Sequence, residues 1–379
     1  MRYILSLSVA VLLLGAVLAP TAYAQFVPDT ETIEKARVLS AEDQGLEQLP
    51  GTEVSSRAQT LTAEVLSGEQ EGETVTFRND FTQLEQGDVF YLRHLVSPTD
   101  GTEFYSVADP YRLHVLGILA FVFLVLVFLF GGLQGMRGLL SLAGSLLLIF
   151  YLLLPGISAG FPPVTVAIGV ASLIIVVGSY VTHGFNRTTS AAVIGMIGTV
   201  IVTGLAAWYV VDAAALSGYS SEDSAYLHFQ SGGTIDLVGV LLASILIGLL
   251  GVLYDIAIGQ AVAVEELMRA GSHLTKKEVY LRALRIGKEH IGALVNTLAI
   301  AYVGASLPLF LLLEHTTASP GYILNGEVLA TEIVRILIGS SGLVLAVPVT
   351  TAIAVYLVSG KRGSGPQEDA RGTMHTHHN

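Results

Sequence analysis

What most limits this chain is a series of apolar runs, each about as long as a bilayer is thick. After Arg112 they recur at 114–132, 139–154, 164–182, 190–211, 237–254 or beyond, 291–313 and 333–357. A helix needs about 20 such residues to cross a hydrocarbon core of ~30 Å. Backbone inside hydrocarbon must satisfy its own hydrogen bonds, so the runs are expected as seven spanning helices. Composition agrees, because 52% of the 379 residues are hydrophobic and only 13% charged, too apolar for a soluble protein of this length. The lipid bilayer is thus the first expected partner.

Basic residues orient the runs. Loops after the second, fourth and sixth contain no Lys or Arg. Those after the first, third and fifth carry Arg137, then Arg187, then Arg269, Lys276, Lys277, Arg282, Arg285 and Lys288, and the chain end adds Lys361, Arg362 and Arg371. The positive-inside rule then predicts a multi-pass protein of the plasma membrane with its N-terminal part outside and its C-terminus in the cytoplasm. Residues 1–24 support this independently: Arg2, an apolar core over 3–18, Pro20, and small residues Ala22 and Ala24 form a signal-peptide pattern with cleavage after Ala24. The alternative is an uncleaved anchor, which would export residues 25–110 equally well.

Residues 25–110 hold no long apolar run. Short alternating stretches at 59–66 (QTLTAEVL), 73–78 (ETVTFR) and 88–95 (DVFYLRHL) are separated by glycines, the pattern of strands joined by turns. A small extracytoplasmic antiparallel β domain is expected, in the form of a partly closed barrel. Between Gln25 and Arg112 there are 17 acidic and 6 basic residues. Without carboxylates at metal-loop spacing, this charge reads as a solvated face.

The polar residues that need explaining lie between Gly248 and Leu313. Asp255, Gln260 and Asn296 stand inside or beside apolar runs, where polar groups are costly and mark functional candidates. Residues 237–268 lack Lys and Arg and as one helix would be roughly 48 Å long. Such a helix either projects into the cytoplasm or breaks near 254–259 to line a cavity. Asp255 is then either a proton or cation carrier or a solvated residue paired with a basic neighbour, and Asn296 is either its hydrogen-bond partner or an interhelical clasp. Glu265 and Glu266 read as a wet cytoplasmic face. Thr275 and Glu278 form a capping-box pattern opening an amphipathic helix over 274–290, expected along the cytoplasmic face with joints at Gly271 and Gly292. Glu332 and Arg335, at i, i+3 spacing, read as a structural ion pair at the outer interface. Residues 360–379 form a polar tail, and His375, His377 and His378 read as solvated.

Three local patterns together resemble the YibE/F family of bacterial membrane proteins. They are Asn186, Arg187, Thr188 and Thr189 leading into the fourth span; GVLYDIA over 251–257 with Gln260, Glu266 and Leu267; and RALRIG over 282–287 with His290 and Ile291, running into NTLAIAYVGASLPL from Asn296. The resemblance covers most of the membrane region and implies a multi-pass bacterial membrane protein, with no settled activity. Two positions depart from the family pattern: Tyr254 replaces an expected second acidic residue beside Asp255, and Gly259 an expected small hydroxyl residue.

No GxxxxGK[ST] or HExxH pattern occurs and there is no cysteine, which leaves ATPase, zinc-peptidase and thiol chemistry without residues. An intramembrane aspartyl protease needs two facing carboxylates, and Asp255 has no acidic counterpart at its depth. No enzyme activity, cofactor, metal or nucleic-acid partner is expected. Two functions fit: a secondary transporter or permease for a small solute or ion, and a non-transporting scaffold or signalling protein whose β domain binds an envelope partner.

Overall fold

The computed structural model describes residues 30–48, 55–97, 101–271 and 273–359. Residues 1–24, read as a signal peptide, and the tail 360–379 with its histidines lie outside the described residues. The chain divides into two compact units between Gly131 and Gly132.

The first unit holds five antiparallel strands: β1 (Thr30–Gln48), β2 (Ser55–Val65), β3 (Thr74–Asn79), β4 (Val89–Val96) and β5 (Glu103–Pro110). They form one sheet in the order β3-β2-β1-β4-β5. β1 is the spine. Its first half pairs with β4, Thr30 opposite Val96, and its second half with β2, Ala36 opposite Val65. Register shifts between Val38 and Ser40 and between Asp43 and Gly45 bend the strand, as bulges do. The sheet curls until β3 and β5 meet, giving a half-barrel around Ala36, Val38, Leu61, Ala63, Phe90 and Leu92. Its Phe77 and Phe90 rings lie 6.1 Å apart.

β2, β3 and β4 fall on the three alternating stretches. β1 and β5 have no such signal. The inward residues of β1 begin with Glu34, buried to 7% exposure, so period-two hydrophobicity is interrupted where the strand starts. A Glu34 carboxylate oxygen accepts the Glu69 N–H at 3.1 Å. Gly68 in that turn has φ 99, and any side chain there would strike the same carboxylate.

The longest apolar stretch runs from Leu113 to Ser158, 46 residues in all. It comprises α1 (Leu113–Leu148), a π-helical turn (Ile149–Leu153) and α2 (Leu154–Ser158). At 1.5 Å per residue this is about 69 Å, over twice a ~30 Å core. Gly132, at φ 52 and ψ −144, breaks the helical geometry inside α1. No residue of α1 is buried, and a helix apolar all round is suited to lipid.

The second unit, from Gly132, is a bundle of α3 (Pro163–His183), α4 (Arg187–Ala213), α6 (Leu237–Ala270), α7 (Lys276–Ala305) and α10 (Glu327–Val358), with short α5 (Glu222–Gln230), α8 (Leu307–Glu314) and α9 (Pro320–Asn325). α6 is central and packs against α3, α4, α7 and α10. Small residues set how closely the helices approach. A Cβ at Gly342 on α10 would lie 2.7 Å from Thr203 of α4 and 2.9 Å from Leu249 of α6, and one at Gly195 would press on Thr350. Caps fix the helix starts: the Asn186 side chain accepts the Thr189 N–H at 2.7 Å, and Asp236 that of Gly239 at 3.0 Å. The Thr275 and Glu278 capping box is formed, as the motif predicts.

Two expectations change. Segment 274–290 is not a separate helix lying along the membrane face, because α7 runs unbroken past Gly292 to Ala305. Val279 and Ala283 are buried in the bundle while Ile286 is exposed. The joint falls instead at Ser306, where α7 and α8 meet at a 66° bend and Pro308 ends any continuation of the ladder. Among the described residues five helices are long and apolar enough to cross a membrane, or six if this bent pair counts as one span.

Candidate functional site

α6 is helical without interruption from Leu237 to Ala270; the alternative of a break near 254–259 is overturned. Its backbone ladder closes at Gly259, so glycine there does not open the helix. Ser244, Gly248, Gly251, Asp255, Gly259, Val262 and Glu266 form a stripe facing away from the core, Asp255 itself being exposed. Asn296 is likewise exposed on α7. No hydrogen bond joins the two, so the structure does not bring them together.

Gln260, by contrast, is buried at 4% exposure. Its amide N–H group donates to the Ala283 carbonyl at 2.7 Å and to the Thr351 hydroxyl oxygen at 2.8 Å, and Thr351 donates to the Val347 carbonyl at 2.6 Å. One side chain on α6 therefore ties α7 and α10 together. Gly287 makes room for it, since a Cβ there would lie 2.8 Å from the Gln260 oxygen. Tyr254 has a similar structural task, donating to the Gly178 carbonyl of α3 at 3.1 Å. Position 259 stays open, with nothing within 4 Å of an added Cβ. Glu265 and Glu266 both pair with Arg269, and Glu265 also accepts the Thr188 hydroxyl.

The polar centre that sequence spacing only half discloses lies on α10. Arg335 and Glu332 are 2.8 Å apart with side chains 22% and 14% exposed. The guanidinium sits 5.7 Å from the Tyr302 ring of α7, a cation–π distance. Tyr302 in turn reaches over Gly248 of α6. Three helices thus converge on one ion pair next to the bend at Ser306. The second Glu332 carboxylate oxygen and the Arg335 Nε are buried with no partner among the described residues, as are the hydroxyls of Thr331, Ser340, Thr350 and Thr203. Thr331, Arg335, Gly339, Gly342, Ala346 and Thr350 recur at three- and four-residue intervals, with Glu332 beside Thr331, a polar and small face turned into the bundle. Buried polar atoms without partners are rare and each needs an explanation such as water or an ion. The pairing of Tyr302 with Arg335 links positions too far apart for spacing to reveal. Among the described residues no group of three or more His, Cys, Asp or Glu is placed to hold a metal.

Long apolar helices packed around a half-buried ion pair are consistent with a multi-pass helical membrane protein. The family model of YibE/F-like proteins matches residues 119–360, well over half the chain, and the chain belongs to this family. The match takes in the whole helical bundle and leaves the half-barrel outside it. No curated protein and no solved structure matches the chain.

Proposed function

We propose that this chain is a permease that moves a small polar solute or ion along the inner face of α10, with Glu332 and Arg335 as the polar station on the way. The observation that carries the reading is this half-buried pair with unsatisfied atoms on both partners. Charge at membrane depth is expensive and faces a bundle interior or a wet cavity. A bent span beside it is the irregular backbone tolerated only where it lines such a cavity. In this reading 113–158 crosses twice, hinged at Gly132, so the crossings number seven. This reading has the half-barrel outside and the C-terminus in the cytoplasm, an orientation supported by the basic loops. Asp255 and Asn296 then line a wet face of α6 and α7, and the transporter carries no catalytic step.

A second reading has its own support. Because α6 is continuous at Asp255, the helices suit a scaffold that only anchors the half-barrel to an envelope partner. Proteoliposomes carrying the full chain and a pH- or potassium-sensitive dye separate the two. The permease reading expects one imposed gradient to collapse with wild-type protein and to collapse at least about tenfold more slowly with Glu332→Gln, a loss of about 1.4 kcal/mol in the barrier. Equal rates for the two proteins, or no dissipation by correctly inserted wild type, leave the scaffold reading standing.

A further inference from the structure

A second site lies at the end of the bundle where α3 turns into α4 and where α7 begins. A cavity of about 800 Å³ is lined there by Asn186, Arg187 and Ser190, by Lys276, and by Tyr356 and Ser359 at the end of α10. Beyond Lys276 and Tyr356, which form a shared wall, lies a groove of about 370 Å³ whose remaining lining includes Tyr280, Ala352 and Val355. The groove surface is almost wholly carbon. A cationic cup and an apolar slot therefore adjoin across two side chains.

The charges in the cup are uncompensated. Arg269, on the same end of the bundle, is neutralised by Glu265 and Glu266. Arg187 and Lys276 have no carboxylate partner among the described residues; Lys276 has only the Tyr356 ring, 6.0 Å away. Glu278, the acidic residue closest along α7, is committed elsewhere, accepting the Thr275 N–H and hydroxyl at 2.8 Å each. Both cations are the first residues of their helices, where the helix dipole already presents positive charge. A bound anion removes that repulsion.

We infer that the cup binds the phosphate of an anionic phospholipid and that the adjoining groove takes one acyl chain. A soluble phosphate would need only the cations; the apolar slot sharing their wall is what selects a lipid. Basic pockets between helices at the membrane surface bind acidic headgroups in this way. The site is independent of transport, since none of its residues belongs to the face of α10 described above.

The test uses the full-length protein in a neutral detergent, titrated with short-chain phosphatidylglycerol, phosphatidylcholine of the same chain length, or glycerol 3-phosphate, with bound ligand counted by native mass spectrometry. Phosphatidylglycerol is expected to bind saturably and at least about tenfold tighter than the other two. Removing both cations in Arg187→Gln/Lys276→Gln should weaken it about 30-fold, at ~1 kcal/mol per cation. Ala352→Trp, which fills the groove from its exposed side and leaves the charges, should weaken phosphatidylglycerol while leaving glycerol 3-phosphate unchanged. Equal binding of the two lipids overturns the inference, as does wild-type affinity in the double variant. Glycerol 3-phosphate binding as tightly as phosphatidylglycerol reduces the cup to a soluble-anion site and also overturns it. The wild-type comparison decides the matter even where a variant does not fold.

Discussion

At the scale of single residues, side chains of similar polarity have different tasks. Gln260 holds three helices by two hydrogen bonds inside an apolar core. Replacing it by Leu leaves the Ala283 carbonyl without this donor and crowds Gly287, so thermal unfolding in detergent should report a loss of about 1–3 kcal/mol. Asp255 lies on the exposed stripe of α6, and Asp255→Asn should change that midpoint by much less. In the half-barrel, Tyr105 donates to Glu103 at 2.7 Å. Burial first, and then that bond to a carboxylate, raise its phenol above the ordinary tyrosine range. The folded state thus favours the neutral phenol. Its contribution to stability is complete below the unfolded-state value of about 10 and is lost as pH climbs through the higher folded value. The difference between wild-type and Tyr105→Phe phenolate absorbance should therefore rise later than that of free tyrosine, and a rise at the ordinary pH would contradict the assigned contacts.

At the scale of elements, close approach decides the packing. Gly342 lets α10 lie against both α4 and α6, so Gly342→Leu should destabilise the bundle by about 1–3 kcal/mol or more through overpacking, read as a lower unfolding midpoint. Gly251→Ala on the open face of α6 should be neutral or slightly stabilising by helix propensity. Legibility in the sequence obeys the same logic. Apolar runs, the Thr275 cap and the alternating β2, β3 and β4 stretches are local patterns, and local patterns survive folding. The continuity of α6 and α7 was not legible, because whether a helix runs on through Gly259 or Gly292 depends on its opposite face, where Gln260 on α6 and Leu298 on α7 are buried. β1 was hidden by Glu34, whose burial depends on a turn more than thirty residues away. Gln260 was legible as a costly polar residue but not as a clasp, since its acceptors lie on two other helices. The pair of Glu332 and Arg335 was legible from spacing; its isolation beside Tyr302 was not.

At the scale of the whole molecule, the chain joins a half-barrel unit to a bundle whose inner seam on α10 carries polar atoms with no partner among the described residues. A scaffold has no need of such a seam, because an apolar face would pack as well without the desolvation penalty. The central claim is that this seam is wet. The chain has no cysteine of its own, so single substitutions can be read without background. Thr331→Cys, Ser340→Cys and Thr350→Cys, each in otherwise unchanged full-length protein in membranes, are to be treated with a small water-soluble thiol reagent and compared with Val344→Cys on the exposed side of α10. The account predicts labelling of the three seam positions at rates at least about tenfold above Val344→Cys, in line with thiolate chemistry requiring water, and protection of none of them by lipid. Seam positions that label no faster than Val344→Cys would contradict it.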